Sequence, residues 1–398
     1  MASRNHALVF GASGLIGWGV VNELLSGNPA TNTFSKITAA VNRSVVEPEM
    51  HWPSAGPGRP DLQIATGVNL RQGSADELAA QLREEVPGIE SVTHVFYFVF
   101  TAVMGDHIEE CNLNQDMMKR VAGAVNLVAP KLESVVYSGG TRGYGIYIPG
   151  GTFTPPLEES MADNLPPDYE ATVAYPHFRR ILTEASASGT RWSWTEVCPD
   201  AVVGFTPNGS AFSLALHWAQ YLSLYAFKHR GETEMKVPFP GVEAAYRSKF
   251  TPVSTRVLGR IAVHAALEKG RCSGKILNAA DRAHPTTWEE LWPKIVAWFG
   301  MVGVGPNDGA DGPVDAGLMP GEYIAKHKHL FEEAGLHKAM SCGVGDGHQQ
   351  LDSVGTWLTF DRQLSLERLR SVGFEEEADP TTGWLDSFER FRRAGIIF

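Results

Sequence analysis

The chain has 398 residues, 43% of them hydrophobic and 20% charged, enough for one large core or for a sizeable domain with a smaller cap. Its 34 basic and 45 acidic residues leave a formal net charge of −11, which argues against nucleic acid as the main partner because phosphate backbones need a basic face. Cys111, Cys198, Cys272 and Cys342 stand at no metal-ligand or redox spacing, no run approaches about eighteen uninterrupted apolar residues, and no secretory leader is visible. A cytoplasmic protein with reduced thiols, no metal site and no membrane span is therefore expected.

Residues 6–12 form a short apolar run that ends in glycine, and 15–26 carry apolar positions at helical spacing. A second strand is expected over 36–41, a Pro/Gly-rich loop over 46–60, a third strand over 69–72 and a helix over 76–85. The run Val-Phe-Tyr-Phe-Val-Phe within 91–100 reads as a strand buried on both faces. A long amphipathic helix over 109–128 and a strand over 134–138 follow. Strand–helix alternation of this kind predicts an α/β fold with a doubly wound parallel sheet and right-handed crossovers. Beyond Gly139 the pattern loosens: a proline-rich loop at 150–167, helices over 174–186, 211–227, 257–268 and 288–299, and strands over 192–199 and 275–279. Residues 301–350 are glycine-rich and read as an insertion or lid, and 357–398 read as helical with an apolar tail. The chain divides on this reading into a nucleotide-binding part over 1–205, with later returns near 250–280, and a mainly helical substrate-binding part over 206–398.

The sharpest local signal is Val-Phe-Gly-Ala-Ser-Gly-Leu-Ile-Gly, with Gly11, Gly14 and Gly17 spaced three apart between a strand and a helix. Gly11 permits the tight turn, Gly14 lets the backbone approach a pyrophosphate, and Gly17 lets the helix pack against the sheet. Ser13, Leu15 and Ile16 complete the anion-binding opening of the helix. The second strand runs into Asn42, Arg43 and Ser44, where an NAD site usually carries an acidic residue; Arg43 instead suits the 2′-phosphate of NADP(H). Gln72 and Gly73 are candidates to border the adenine, with a plain loop as the alternative.

These stretches, with Thr93-His-Val-Phe-Tyr, Glu110-Cys-Asn-Leu-Asn114, Trp194-Thr-Glu-Val-Cys-Pro199, Val203-Gly-Phe-Thr-Pro207 and Leu277-Asn-Ala-Ala-Asp281, resemble the extended short-chain dehydrogenase/reductases, in the branch of plant progesterone 5β-reductase and iridoid synthase. The resemblance covers most of the chain apart from 301–350 and implies a Rossmann-type core. It also implies hydride delivery from NADPH to an enone or carbonyl, with a lysine and a tyrosine framing the nicotinamide. The family's Gln-Thr-Gly-x-Lys-x-Tyr segment is matched here by Ser138-Gly-Gly-Thr-Arg-Gly-Tyr144, so Arg142 stands at the lysine position. Tyr175 is the tyrosine left in the segment that matches the start of the catalytic helix, and Arg179 and Arg180 replace an acidic pair. Arginine supplies charge but does not release a proton at ordinary pH, and a structural salt bridge is the competing role for Arg142. Tyr144 and Tyr147 are reserves for the oxygen-facing phenol.

By the same resemblance, Tyr97, Phe98, Phe100, Phe212, Trp218, Tyr221 and Tyr225 wall a substrate pocket, with Tyr144 beside it, for an apolar small molecule. The i, i+3, i+7 spacing of Trp218, Tyr221 and Tyr225 fits helix packing equally well. His177 and His217 read as surface or internally satisfied residues rather than catalysts. The leading expectation is an NADPH-dependent reductase in specialised metabolism. A redox-neutral cyclase or isomerase and a non-catalytic NADP-binding regulator are the alternatives, and a homodimer is the assembly that the resemblance suggests.

Overall fold

The computed structural model describes residues 5–187, 192–306 and 317–398. Seven parallel strands form its central sheet: β1 (His6–Phe10), β2 (Lys36–Ala40), β3 (Asp61–Ala65), β4 (His94–Tyr97), β5 (Ser134–Ser138), β6 (Ser193–Pro199) and β7 (Lys275–Ala279). Their spatial order is β7-β6-β5-β4-β1-β2-β3, so the sheet winds outward in both directions from β1 and β4. The crevice at that reversal, outside the carboxyl ends of the strands, is where such sheets bind ligands. β1 is central and buried along its whole length, because neighbours flank both its edges and helices cover both its faces.

Helices α1 (Leu15–Leu25) and α6 (Thr255–Leu267) contribute to the apolar cluster on one face. α2 (Ala75–Glu85), α3 (His107–Val128) and α4 (Ala174–Ala187) build the cluster on the other. α5 (Leu214–Lys228), α7 (Trp288–Ala297) and α8 (Pro380–Arg393) extend the first cluster beyond the sheet. The two parts of the chain interlock, since β7 returns from the second to pair with β6 of the first. Among the described residues, no helix is long and apolar enough to cross a membrane.

The third strand lies at Asp61–Ala65, not at 69–72. Asp61–Ala65 aligns residue for residue with Lys36–Ala40. The later stretch instead turns into α2, because Arg120 of α3 draws in the carbonyls of Leu70 and Gly73. The end of the chain is also less helical than its composition suggests. Leu364 bridges to Leu157 as extended chain, and only Glu367–Ser371 and α8 are helical in the described region after Trp357. Part of the 301–350 region, 307–316, lies outside the described residues. Its later portion continues to Asp352 as a set of short helices packed on α5: Gln220 donates to the carbonyls of Ala339 and Cys342, and His217 Nε2 lies 2.7 Å from Asp352 Oδ1.

Candidate functional site

The turn between β1 and α1 is built for close approach. Gly11 has φ +76°, and a Cβ placed on it would lie 2.5 Å from the carbonyl oxygen of Phe98, at the end of β4. A Cβ on Gly17 would lie 2.2 Å from the carbonyl oxygen of Gly11. Side chains at either place would force the turn apart. The Gly14 amide donates to Gly11 (2.9 Å), and no side chain caps α1. The amides of its first turn, at Leu15, Ile16 and Gly17, thus have no acceptor inside the helix. Thr206 steadies the turn by donating to the carbonyl of Ser13 at 2.9 Å.

Asn42, Arg43 and Ser44 emerge beside this turn, because Gly11 donates to Ala40 at the end of β2 (3.1 Å). All three are exposed. The Arg43 guanidinium donates to the carbonyl of Asn208 (3.3 Å), and among the described residues no carboxylate pairs with it. Gln72 and Gly73 lie at the entrance to α2, with Gly73 at φ +79° and its carbonyl held by Arg120. The backbone that docks onto the end of β2 is Val68, whose amide donates to Val41 (3.0 Å).

Beyond β5 the chain enters Gly139 and Gly140, then the turn Thr141–Tyr144. Tyr175, in the first turn of α4, places its hydroxyl 3.3 Å from where a Cβ on Gly140 would lie. The phenol sits beside Phe100 (6.2 Å between ring centroids) and Phe178 (6.3 Å). Burial pushes its pKa well above the ordinary phenol range, against the pull of the Arg142 charge. A phenol in that state is a proton donor at neutral pH.

Arg142 faces inward to an ion pair. One arm bonds the Glu110 carboxylate of α3, the other donates to the carbonyl of Thr172 (2.7 Å), and the guanidinium lies 5.2 Å from the centre of the Tyr147 ring. Burial opposes its charge, but the bond to Glu110 outweighs this and raises its pKa. Glu110 also accepts from the amide of Val103 (3.0 Å), in the loop after β4. One ion pair therefore ties that loop, the turn after β5 and the entry to α4 together around Tyr175.

The aromatic residues expected to wall the pocket separate into two groups. Phe100 lies between Tyr175 and the exposed Phe212 (6.0 Å between Phe100 and Phe212 rings), and half-buried Phe98 supplies the carbonyl beside Gly11. The others belong to the core and not to a pocket wall. Trp218 is fully buried, stacked on Trp384 (5.3 Å) and met edge-on by Trp288 and Trp292. Tyr225 and Tyr221 pack against Tyr323 of the 301–350 region. Tyr97 is enclosed between the sheet and Phe178. Tyr144 donates to Asn278 (2.6 Å) in β7, so its hydroxyl is committed within the core. His217 is buried against Asp352, and His177 is a half-buried neighbour of Arg180.

Sequence reasoning missed several supports of the site. Gly139 is needed because a Cβ there would meet the Glu196 carboxylate at 2.0 Å. That carboxylate is buried and accepts from Tyr137 (2.7 Å) and Arg179 (2.9 Å). Asp200, just after β6, accepts from Thr141 (2.8 Å) and pairs with buried Arg362 (3.1 Å). Gln350 donates to the Tyr147 hydroxyl, bringing the C-terminal part onto the same turn. The i, i+3, i+7 spacing of His107, Glu110 and Asn114 was the available signal for α3. Those side chains reach Tyr147, Arg142 and Thr101 in turn.

Comparison with known proteins agrees with this architecture. The model of the PRISE-like Rossmann-fold domain matches residues 7–398. The chain is 33% identical to the short chain dehydrogenase sirQ of Leptosphaeria maculans, over 98% of this chain and 97% of that one. It is 24% identical to the 3-oxo-Delta(4,5)-steroid 5-beta-reductase of Arabidopsis thaliana, over 79% of this chain and 78% of the relative. The solved GDP-mannoheptose C4 reductase of Campylobacter jejuni with NADP bound superposes with a TM-score of 0.60 at 13% identity, covering 98% of this chain and 99% of that one, a likeness of fold. With the glycine turn at the head of the sheet and a match spanning nearly the whole chain, this protein belongs to the PRISE-like Rossmann-fold family, within the extended short-chain dehydrogenase/reductases, and is an enzyme of that type.

Proposed function

We propose that the protein is an NADPH-dependent reductase of an apolar enone or carbonyl compound, acting in specialised metabolism. The observation that carries this reading is the Tyr175 hydroxyl over Gly140, at the same carboxyl edge of the sheet as the Gly11–Gly17 turn. The turn fits a dinucleotide: Cβ atoms on Gly11 and Gly17 would collide with backbone, and the helix behind them lacks a cap. Gly11, Ser13, Gly14, Leu15, Ile16 and Gly17 would hold the pyrophosphate, and Arg43 with Asn42 and Ser44 the 2′-phosphate. NADPH, when bound, supplies a hydride. Tyr175 keeps its proton at neutral pH and donates it, as a hydrogen bond or outright, to the substrate oxygen that gains charge. Phe100 and Phe212 offer apolar contact and exclude water around that oxygen. Arg142 acts by fixing the backbone on which Tyr175 rides, since its charge is already matched by Glu110.

That neutralised cation favours a second reading, a redox-neutral cyclase or isomerase that uses Tyr175 to polarise a carbonyl. Incubation with NADPH and a panel of cyclic and open-chain enones separates the two, with nicotinamide absorbance and product mass followed together. Loss of absorbance with a product two hydrogens heavier supports the reductase. Product without absorbance loss supports the second reading, and absence of product across the panel rejects both.

A further inference from the structure

A cleft of about 840 Å³ opens between the loop after β2 and helix α8. None of the residues of the glycine turn lines it. Its floor is Trp52 and Phe205, and its walls carry His51, Arg390 and Arg393 together with the carboxylates of Glu47, Asp386 and Glu389. The volume is in the range of small-molecule sites.

The floor is rigid. Trp52 donates its indole N–H to the carbonyl of Trp18 (3.2 Å), and Trp18 donates its own to the carbonyl of Met50 (2.7 Å). The ring of Phe205 meets Trp18 edge-on at 5.0 Å and His51 at 6.0 Å. Glu47 is tied to Arg59, which braces the far end of the loop. His51 ends the short turn Glu47–Met50 in the left-handed region, φ 55°, a conformation uncommon for histidine and often retained where a side chain must be presented.

Charge is uneven in the cleft. Arg393 is matched by Glu389 (2.9 Å), which also takes Arg392. Arg390 is not matched: it lies over the Trp18 ring at 5.2 Å, and among the described residues no carboxylate stands within ion-pair distance and no side-chain hydrogen bond engages its guanidinium. Asp386 and Glu23 act on it only through space, and burial, the largest influence, lowers its pKa. His51 faces Arg390 and Lys338, and burial together with those two cations keeps its imidazole neutral. A half-buried guanidinium without a counterion, beside a neutral hydrogen-bonding ring and above an aromatic floor, is the donor set for a charge-assisted bond to an anion.

We propose that this cleft is a second ligand site, for a ring-bearing small molecule that carries one anionic group, with Arg390 and His51 on the anion and Trp52 and Phe205 under the ring. The inference does not depend on the reaction assigned above.

The test uses two naphthalene dyes of similar shape, the sulfonate 8-anilinonaphthalene-1-sulfonate and the uncharged N-phenyl-1-naphthylamine, titrated by fluorescence into the full chain with and without excess NADPH. Wild type should take up both, and NADPH should displace neither. Arg390→Met should weaken the sulfonate about tenfold and leave the uncharged dye unchanged. Ala55→Trp, at an exposed position on the rim, should block both dyes with the melting temperature unaltered. The proposal is overturned if the sulfonate binds Arg390→Met as it binds wild type, if Ala55→Trp leaves both dyes in place, if NADPH displaces the sulfonate, or if the sulfonate does not bind.

Discussion

The hydroxyl of Tyr175 and the bare α-carbon of Gly140 face each other so closely that a methyl group on Gly140 would come within 3.3 Å of the phenol oxygen. Gly140 has extended backbone, so the restriction comes from the space above it and not from its dihedral angles. Gly140→Ala should shift the phenol by a few tenths of an ångström and lower kcat about tenfold with little loss of fold. Tyr175→Phe should cost about a hundredfold or more in kcat with NADPH binding retained. Turnover of the phenylalanine variant at the wild-type rate would remove Tyr175 from the chemistry.

Glu110 and Arg142 form a buried pair whose separation leaves one charge stranded. Glu110→Gln should lower unfolding free energy by about 3 kcal/mol, as read from urea denaturation. Arg142→Met should cost a similar amount. The double variant should cost less than the sum of the two, because the stranded charge is then gone. Strict additivity would mean that the pair is not coupled.

Arg43 is exposed, lies beside the glycine turn and lacks a carboxylate partner among the described residues. Arg43→Ala should raise the Kd for NADPH by about ten- to a hundredfold and leave that for NADH nearly unchanged. Calorimetric titration of both cofactors checks this, and equal weakening of the two would refute the phosphate role.

Two kinds of buried group give stability opposite dependences on pH. Burial holds the imidazoles of His6 and His94 down at about 4, from the ordinary 6.5. The unfolded chain then takes up those protons first, and stability falls as pH drops from about 6.5 towards about 4. Asp281 is buried and accepts from the amide (2.8 Å) and hydroxyl (2.7 Å) of Ser254. Burial nonetheless pushes its carboxyl up to about 7, from 3.8. Its contribution is complete below 3.8 and is lost as pH rises through about 7. Asp281→Asn keeps an acceptor for Ser254 and should be more stable than wild type by about 4 kcal/mol at alkaline pH, converging with it in acid. A constant difference across the pH range would exclude this account.

What the sequence revealed depended on how local the information was. The turn from β1 to α1, the strands Ser134–Ser138 and Lys275–Ala279, and the parallel winding are written in short runs whose periodicity and glycines act within a few residues. The stretch 69–72 misled because its apolar residues serve a turn gripped by Arg120, some fifty positions away. Trp218, Tyr221 and Tyr225 show why a stripe on one helix cannot distinguish pocket from core: the deciding partners, Trp288, Trp384 and Tyr323, come from distant segments. For the same reason Arg142 could be placed at the lysine position from sequence, while Glu110, which decides what its charge is used for, could not be paired with it.

Residues 343–355 meet the body through bare backbone. A Cβ on Gly209 would strike the carbonyl of Gly343 at 2.5 Å, one on Gly347 that of Ala211 at 2.4 Å, and one on Gly241 that of Gly355 at 2.2 Å. Surfaces seated so closely at three points leave no room for a side chain between them. Bulkier residues grafted into those seams would pry this flank loose from the body.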